Sequence, residues 1–169
     1  QDTHFEKMEL SYKVDGATRL CPFSADIVEK VLQNSARRIK FSSMIFTPDH
    51  SRTLATSGTK TDEFYSCQFQ DGGTAFVEAS AATQDETSGP AKLRFEASYP
   101  FNQRNWALFL SQHKLESLYL YVIQLESEVS CRAVATAEVR CLALTSASLG
   151  DGGAALVEAV REGRGPTEV

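Results

Sequence analysis

A chain of 169 residues, 42% hydrophobic and 23% charged, has the size and composition of one ordinary globular domain, which can bury a core without metals or staples. Its 17 basic and 22 acidic residues give a formal charge of −5, which removes the long-range attraction to phosphate that non-specific nucleic-acid binding depends on. No apolar run approaches a membrane span and no charged-then-apolar signal opens the chain, so no membrane partner and a cytoplasmic location are expected. An opening Gln1 in place of Met suggests a fragment.

In chain order, residues 8–14 alternate Met8, Leu10, Tyr12 and Val14 against polar partners, which predicts a strand with one face on a core. Ser24 can cap a helix ending near Asn34, with Ile27, Val28, Val31 and Leu32 on one side and Phe23 placed to staple onto Val28. Ile39, Phe41 and Ile45 predict a strand over 37–46, closed by the turn residues Thr47-Pro48-Asp49. Short strands are expected at 52–56 and 63–69, the latter turning through Asp71-Gly72-Gly73 into a strand at 74–80. Residues 81–91 read as an exposed loop and 93–99 as a strand ended by Pro100. Asn102 caps the clearest helix, with Trp106, Phe109, Leu110 and His113 at offsets zero, three, four and seven. A strand at 117–125, apolar on both sides, a hairpin of 129–136 and 139–145, and a helix over 154–161 complete the domain. Residues 1–162 form the expected single domain and 163–169 a disordered tail. No fixed period appears, which argues against a solenoid or propeller. The pattern predicts an α+β fold, mainly an antiparallel β-sandwich or barrel with a few packed helices.

Catalytic and ligand chemistry find little in the pattern. Cys21, Cys67, Cys131 and Cys141 are widely spaced without a CxxC pair, so they read as buried thiols and not as a zinc site. His4, His50 and His113 stand alone, and no GxSxG elbow strains a serine. The Asp-Gly-Gly segments at 71–73 and 151–153 lack the spacing of a phosphate loop and read as turns. Asp62 and Glu63 read as solvated charges at the start of a strand, not as an acid–base pair. Trp106 and Phe109 are expected in the core, with a partner-binding groove as the alternative. No catalytic, cofactor-binding or metal residues are assigned, no cofactor is expected, and the domain is expected to bind proteins without acting as an enzyme.

Three segments carry a likeness to a known family. Asp62-Glu63-Phe64-Tyr65, Ala97-Ser98-Tyr99-Pro100 leading into the helix of Phe109 and Leu110, and Leu142-Ala143-Leu144 running through Gly150-Asp151 resemble the head domain of the spindle assembly abnormal six family of centriolar cartwheel proteins. The resemblance spans roughly residues 54–161 in the order of elements. It implies an end-joining-scaffold-like sandwich, a coiled coil after the head, residence at the cytoskeletal centriole or basal body, and a structural role. Heads of that family pair with their own copies, and with coiled-coil dimerisation they build a ninefold ring beside other centriolar proteins. The matching hairpin tip here is Thr136, Ala137, Glu138 and Val139, and the matching pocket is Trp106, Phe109 and Leu110. Glu138 stands where the family has phenylalanine, and a carboxylate resists an apolar pocket, so self-pairing should be weakened. Two other functions fit the composition: a nucleic-acid-binding β-sheet domain with Tyr119 and Tyr121 as stacking platforms, which the net acidity opposes, and a small-ligand-binding barrel.

Overall fold

Strands and helices alternate along almost the whole chain, and every strand pairing is parallel. The computed structural model describes residues 5–12, 17–57, 61–83, 91–98, 100–112, 115–125 and 127–162. The chain begins with β1 (Phe5–Ser11), the short β2 (Arg19–Leu20) and α1 (Ala25–Asn34), followed by β3 (Ser35–Ser42), β4 (Met44–Phe46) and α2 (Pro48–Ala55). Next come β5 (Thr61–Tyr65), β6 (Gln68–Phe69), α3 (Thr74–Ala82), β7 (Lys92–Glu96) and α4 (Gln103–Gln112). The chain ends in β8 (Leu115–Tyr121), α5 (Glu128–Ala135), β9 (Val139–Thr145) and α6 (Gly153–Arg161).

The main sheet has six strands in the order β1-β3-β5-β7-β8-β9, which is simply chain order, and the short strands β2-β4-β6 form a second sheet beside it. Each coil therefore contributes one long strand and then turns away before returning beside its predecessor. Ile39, Asp62, Leu93, Leu118 and Leu142 lie side by side although 23, 31, 25 and 24 residues separate them in sequence. A strand-plus-helix coil stacked in sequence order is a β/α solenoid, and in 115–125 (LESLYLYVIQL) Leu115, Leu118, Leu120, Ile123 and Leu125 are all buried. The expected antiparallel sandwich and the expected absence of a repeat are both corrected: unequal coil lengths conceal the repeat, and the register reveals it.

The fold error has a local source, since three segments expected as strands are helices. Residues 52–55 belong to α2, with Thr56 as its C-cap, and there Thr47 and His50 form a capping box and Pro48 opens the first turn. Residues 74–80 lie in α3, whose alanines favour a helix; residues 129–135 lie in α5, with Thr136 as its C-cap, and there Ser127 accepts from the Ser130 N–H. In α5 the buried Ser130, Cys131, Val134 and Ala135 make a helical stripe, although Val129 and Val134 alone suit a strand. The helices at 25–34, 103–112 and 153–161 agree with expectation. The Asn102 side chain caps α4 by accepting from the Asn105 N–H at 2.9 Å. The tail from 163 and most of the expected loop, 84–90, lie outside the described residues.

Five strands of the main sheet, β3, β5, β7, β8 and β9, end at a corner. Ser43, Ser66, Ala97, Val122 and Ser146 take left-handed φ values between 47° and 61°. At four of these corners the N–H donates to the last strand residue of the following coil: Ser43 to Tyr65, Ser66 to Glu96, Ala97 to Tyr121 and Val122 to Thr145, at 2.8–3.0 Å. The corner breaks the period-two alternation, which is why Met44 and Phe46 are buried where Ile45 was expected. Immediately after it, side chains link neighbouring coils. The Cys67 thiol donates toward the Phe41 carbonyl (3.5 Å) or the Tyr65 carbonyl (3.3 Å). In the next coil, buried Ser98 Oγ accepts from the Cys67 N–H at 2.9 Å, and its one proton serves the carbonyl of Phe64 (3.2 Å) or Glu96 (2.9 Å).

Inside, two rows of strand residues meet the helices. One reads Met8, Ile39, Asp62, Leu93, Leu118, Leu142 and the other Leu10, Phe41, Phe64, Phe95, Leu120, Leu144. Phe41, Phe64 and Phe95 stack in sequence, with ring centroids 5.6 and 5.2 Å apart and planes within 16°. Trp106 and Phe109 of α4 close this column through Phe101, at 4.9 and 5.2 Å. Each fully buried phenylalanine contributes about 1.5–3 kcal/mol from burial, and well-placed ring pairs add about 0.5–1.5 kcal/mol. Gly73, at φ 84°, lies against Phe101, where an added Cβ would come within 2.1 Å of the ring.

Two corner substitutions should move stability in opposite directions in urea unfolding. Ser98→Ala strands the buried Cys67 N–H and should cost about 1–3 kcal/mol. Val122 is a β-branched residue in the left-handed region with its side chain 56% exposed, so Val122→Asn should relieve strain and stabilise by about 1 kcal/mol.

Candidate binding face

Side chains alternate across a strand, so the residues between the two inward rows point away from the helices. At the strand starts the outward row includes Lys7, Arg38, Lys92, Ser117 and Cys141. The middle row reads Glu9, Lys40, Glu63, Arg94, Tyr119, Ala143, and the row at the strand ends Ser11, Ser42, Tyr65, Glu96, Tyr121, Thr145. Strand order turns residues far apart in sequence into neighbours: Lys40 and Arg94 flank Glu63.

Cations on this face rest on rings and carboxylates. The Arg94 guanidinium lies 4.6 Å over the Tyr121 ring and pairs with Glu96 at 3.4 Å. Lys40 Nζ lies 5.8 Å from the Tyr65 centroid and 3.5 Å from Glu9. Arg38 pairs with Glu63, and Lys92 reaches Glu116 at 3.1 Å. Apart from Arg38–Glu63, whose carboxylate is buried, these pairs are largely solvated and contribute little stability, about 0–1 kcal/mol each, but they hold long side chains in defined places. Tyr65 is 39% exposed, and Tyr119 and Tyr121 are half-buried.

Asp62 and Glu63 are not the solvated charges expected. Asp62 is fully buried in the inward row between Ile39 and Leu93, and Glu63 is covered on the opposite face beneath Arg38. Facing opposite sides of one strand, they cannot share a substrate as acid and base.

The expected hairpin tip is the junction from α5 to β9. Thr136 caps the helix and is exposed, Ala137 and Val139 are buried, and Glu138 faces solvent. Thr136 and Glu138 border a shallow groove with Leu110 and Ala107 of α4, so one of the three expected pocket residues does lie beside the tip. Trp106 and Phe109 do not open into it; they are buried among phenylalanines, as expected of core residues.

The remaining candidates are structural. Nδ1 of His50 accepts from the Thr47 N–H at 3.1 Å, so Nε2 carries the proton and donates to the Phe23 carbonyl at 2.6 Å, tying α2 to the segment before α1. His4 and His113 lie outside the described residues. The Asp71 carboxylate takes the amides that a phosphate would need, accepting from Gly73 at 3.1 Å and Ala75 at 2.8 Å. All four cysteines are free thiols; Cys67 and Cys131 are buried, as expected, whereas Cys21 and Cys141 are half-buried.

The sequence places Lys40 and Arg94 in separate alternating strands and Tyr119 in a strand expected to be apolar on both sides, and it does not assemble the three. Aligning the coils on Ile39, Leu93, Leu118 and Leu142 would have placed them in one row.

Burial pushes the Cys67 thiol up to about 12, with backbone contacts from Met44, Tyr65 and Ser43 offsetting only part of that rise. The unfolded chain ionises this thiol near its ordinary 9.0, so the stabilising difference is complete below pH 9 and is lost as pH climbs toward 12. Urea midpoints should therefore fall faster above pH 9 in the wild type than in Cys67→Ala.

No protein-family model matches the chain, and no curated protein is significantly similar to it.

Proposed function

We propose that this domain is a protein-binding solenoid that works without catalysis and presents the outward face of its six-stranded sheet to a partner. One observation carries this: parallel sheets are ordinarily covered on both faces, and here strand order equal to chain order, with each described helix packed on the next from α1 to α6, puts those helices in one layer on one face. The other offers tyrosines with Arg38 and Arg94 in register, residue types enriched at protein interfaces because they supply large contact area with a polar end. A solenoid suits such a task because each coil adds one strand to a continuous surface.

The expected mode of action, protein binding without catalysis, is retained. The centriolar self-pairing mode is not: it needs an antiparallel head with a hairpin tip, and 128–145 is a helix followed by a strand. Among the described residues no helix is long and apolar enough to cross a membrane.

A photo-cross-linking residue at Tyr119 should form protein adducts in cell extract, whereas the same residue at Val157, 52% exposed on α6, should not. Adding Arg94→Ala and Tyr121→Ala should reduce the Tyr119 adducts several-fold, as expected for loss of interface anchors. Equal adducts from both positions, or adducts with nucleic acid alone, would overturn the proposal.

A further inference from the structure

The sheet face differs in charge from the molecule that carries it, and this points to the partner's chemistry. Lys7, Arg38, Lys40, Lys92 and Arg94 face outward against Glu9, Glu63 and Glu96, on a chain whose formal charge is −5. The cations are concentrated where the strands begin, since Lys7, Arg38 and Lys92 share a row with no carboxylate of its own, Arg38 pairing with Glu63 of the next row and Lys92 with Glu116 at 3.1 Å. Of the three acids Glu63 is 8% exposed beneath Arg38, so its charge projects little toward a ligand. Beside the cations lie the rings of Tyr65 and Tyr121, which hold Lys40 and Arg94 in place.

We infer that this face holds an acidic protein segment in extended conformation, lying across the strands with its carboxylates on the basic row and its apolar side chains on the tyrosines. The inference rests on the function proposed above and names the chemistry of the partner. Six strands spaced about 4.8 Å apart span about 24 Å, which an extended chain crosses in about eight residues. A nucleic acid suits the face less well. Its charge is continuous along the strand, and the side chains of Glu9 (47% exposed) and Glu96 (36% exposed) interrupt the cations. A peptide can space its carboxylates to avoid them.

The test uses labelled probes about twelve residues long, enough to cross the face: an alternating Glu–Tyr peptide, an alternating Lys–Tyr peptide and an oligo-dT strand. In fluorescence anisotropy the Glu–Tyr peptide should bind more tightly than oligo-dT and weaken as salt is raised. The double variant Lys40→Glu/Arg94→Glu should lose about tenfold in affinity for Glu–Tyr and gain affinity for Lys–Tyr, with circular dichroism unchanged. If that variant fails to fold, Lys7→Glu/Lys92→Glu, placed at the strand starts, should show the same reversal. Tighter binding of oligo-dT, unchanged binding by the charge-reversed variant, or no binding of Glu–Tyr would overturn the inference. Should Tyr119 still cross-link protein after such a result, the face binds protein of another chemistry; should it not, the proposed function fails as well.

Discussion

Everything in this molecule depends on how a strand ends. The chain must leave the sheet within one residue, and it does so with a backbone turned into the left-handed region at Ser43, Ser66, Ala97, Val122 and Ser146. At four of these corners the turn points an amide at the carbonyl ending the adjacent strand. A strand twisted out of register would lose that bond, so the corner fixes register along with direction. Small residues occupy most of these positions, as the sterics of left-handed backbone require, and Val122 is the departure.

Once register is fixed, burial follows. The inward rows fall one above another, and phenylalanines at equivalent positions meet as stacked rings. The helices complete the column unevenly: α4 contributes Trp106 and Phe109 where the rings are densest, whereas α5 contributes the smaller Cys131, Val134 and Ala135. Cys131 is packed so closely that a Cβ on Gly152 would come within 2.5 Å of its sulfur, which explains why glycine stands there. The same register lays out the opposite face, so the core and the outward rows are two consequences of one alignment.

How much of this could be read from the sequence varied with the kind of signal. Helices with a clear cap and stripe, such as the one after Asn102, were legible because cap and stripe are local. Segments of eight or nine residues with valines or alanines, such as 74–82 and 128–135, were not, because so short a piece fits both periods until tertiary contacts decide. Reading them as strands converted parallel crossovers into hairpins and produced the wrong fold class. The repeat was present in Leu115, Leu118, Leu120 and Leu125, matched by Val139, Leu142, Leu144 and Leu149, but coils of 23 to 31 residues defeat any search for a constant spacing. The face was legible in its parts, and its assembly required knowing which strands are neighbours.

Those unequal coils also separate what can vary from what cannot. Asp62 meets Leu93 across the sheet just as Leu118 meets Leu142, although the first connection is seven residues longer than the second. Length added on the way back from a strand is invisible to the surface in front. Insertions there can accumulate while the front stays unaltered, so the rear of this protein can lengthen or acquire appendages without displacing the rows in front.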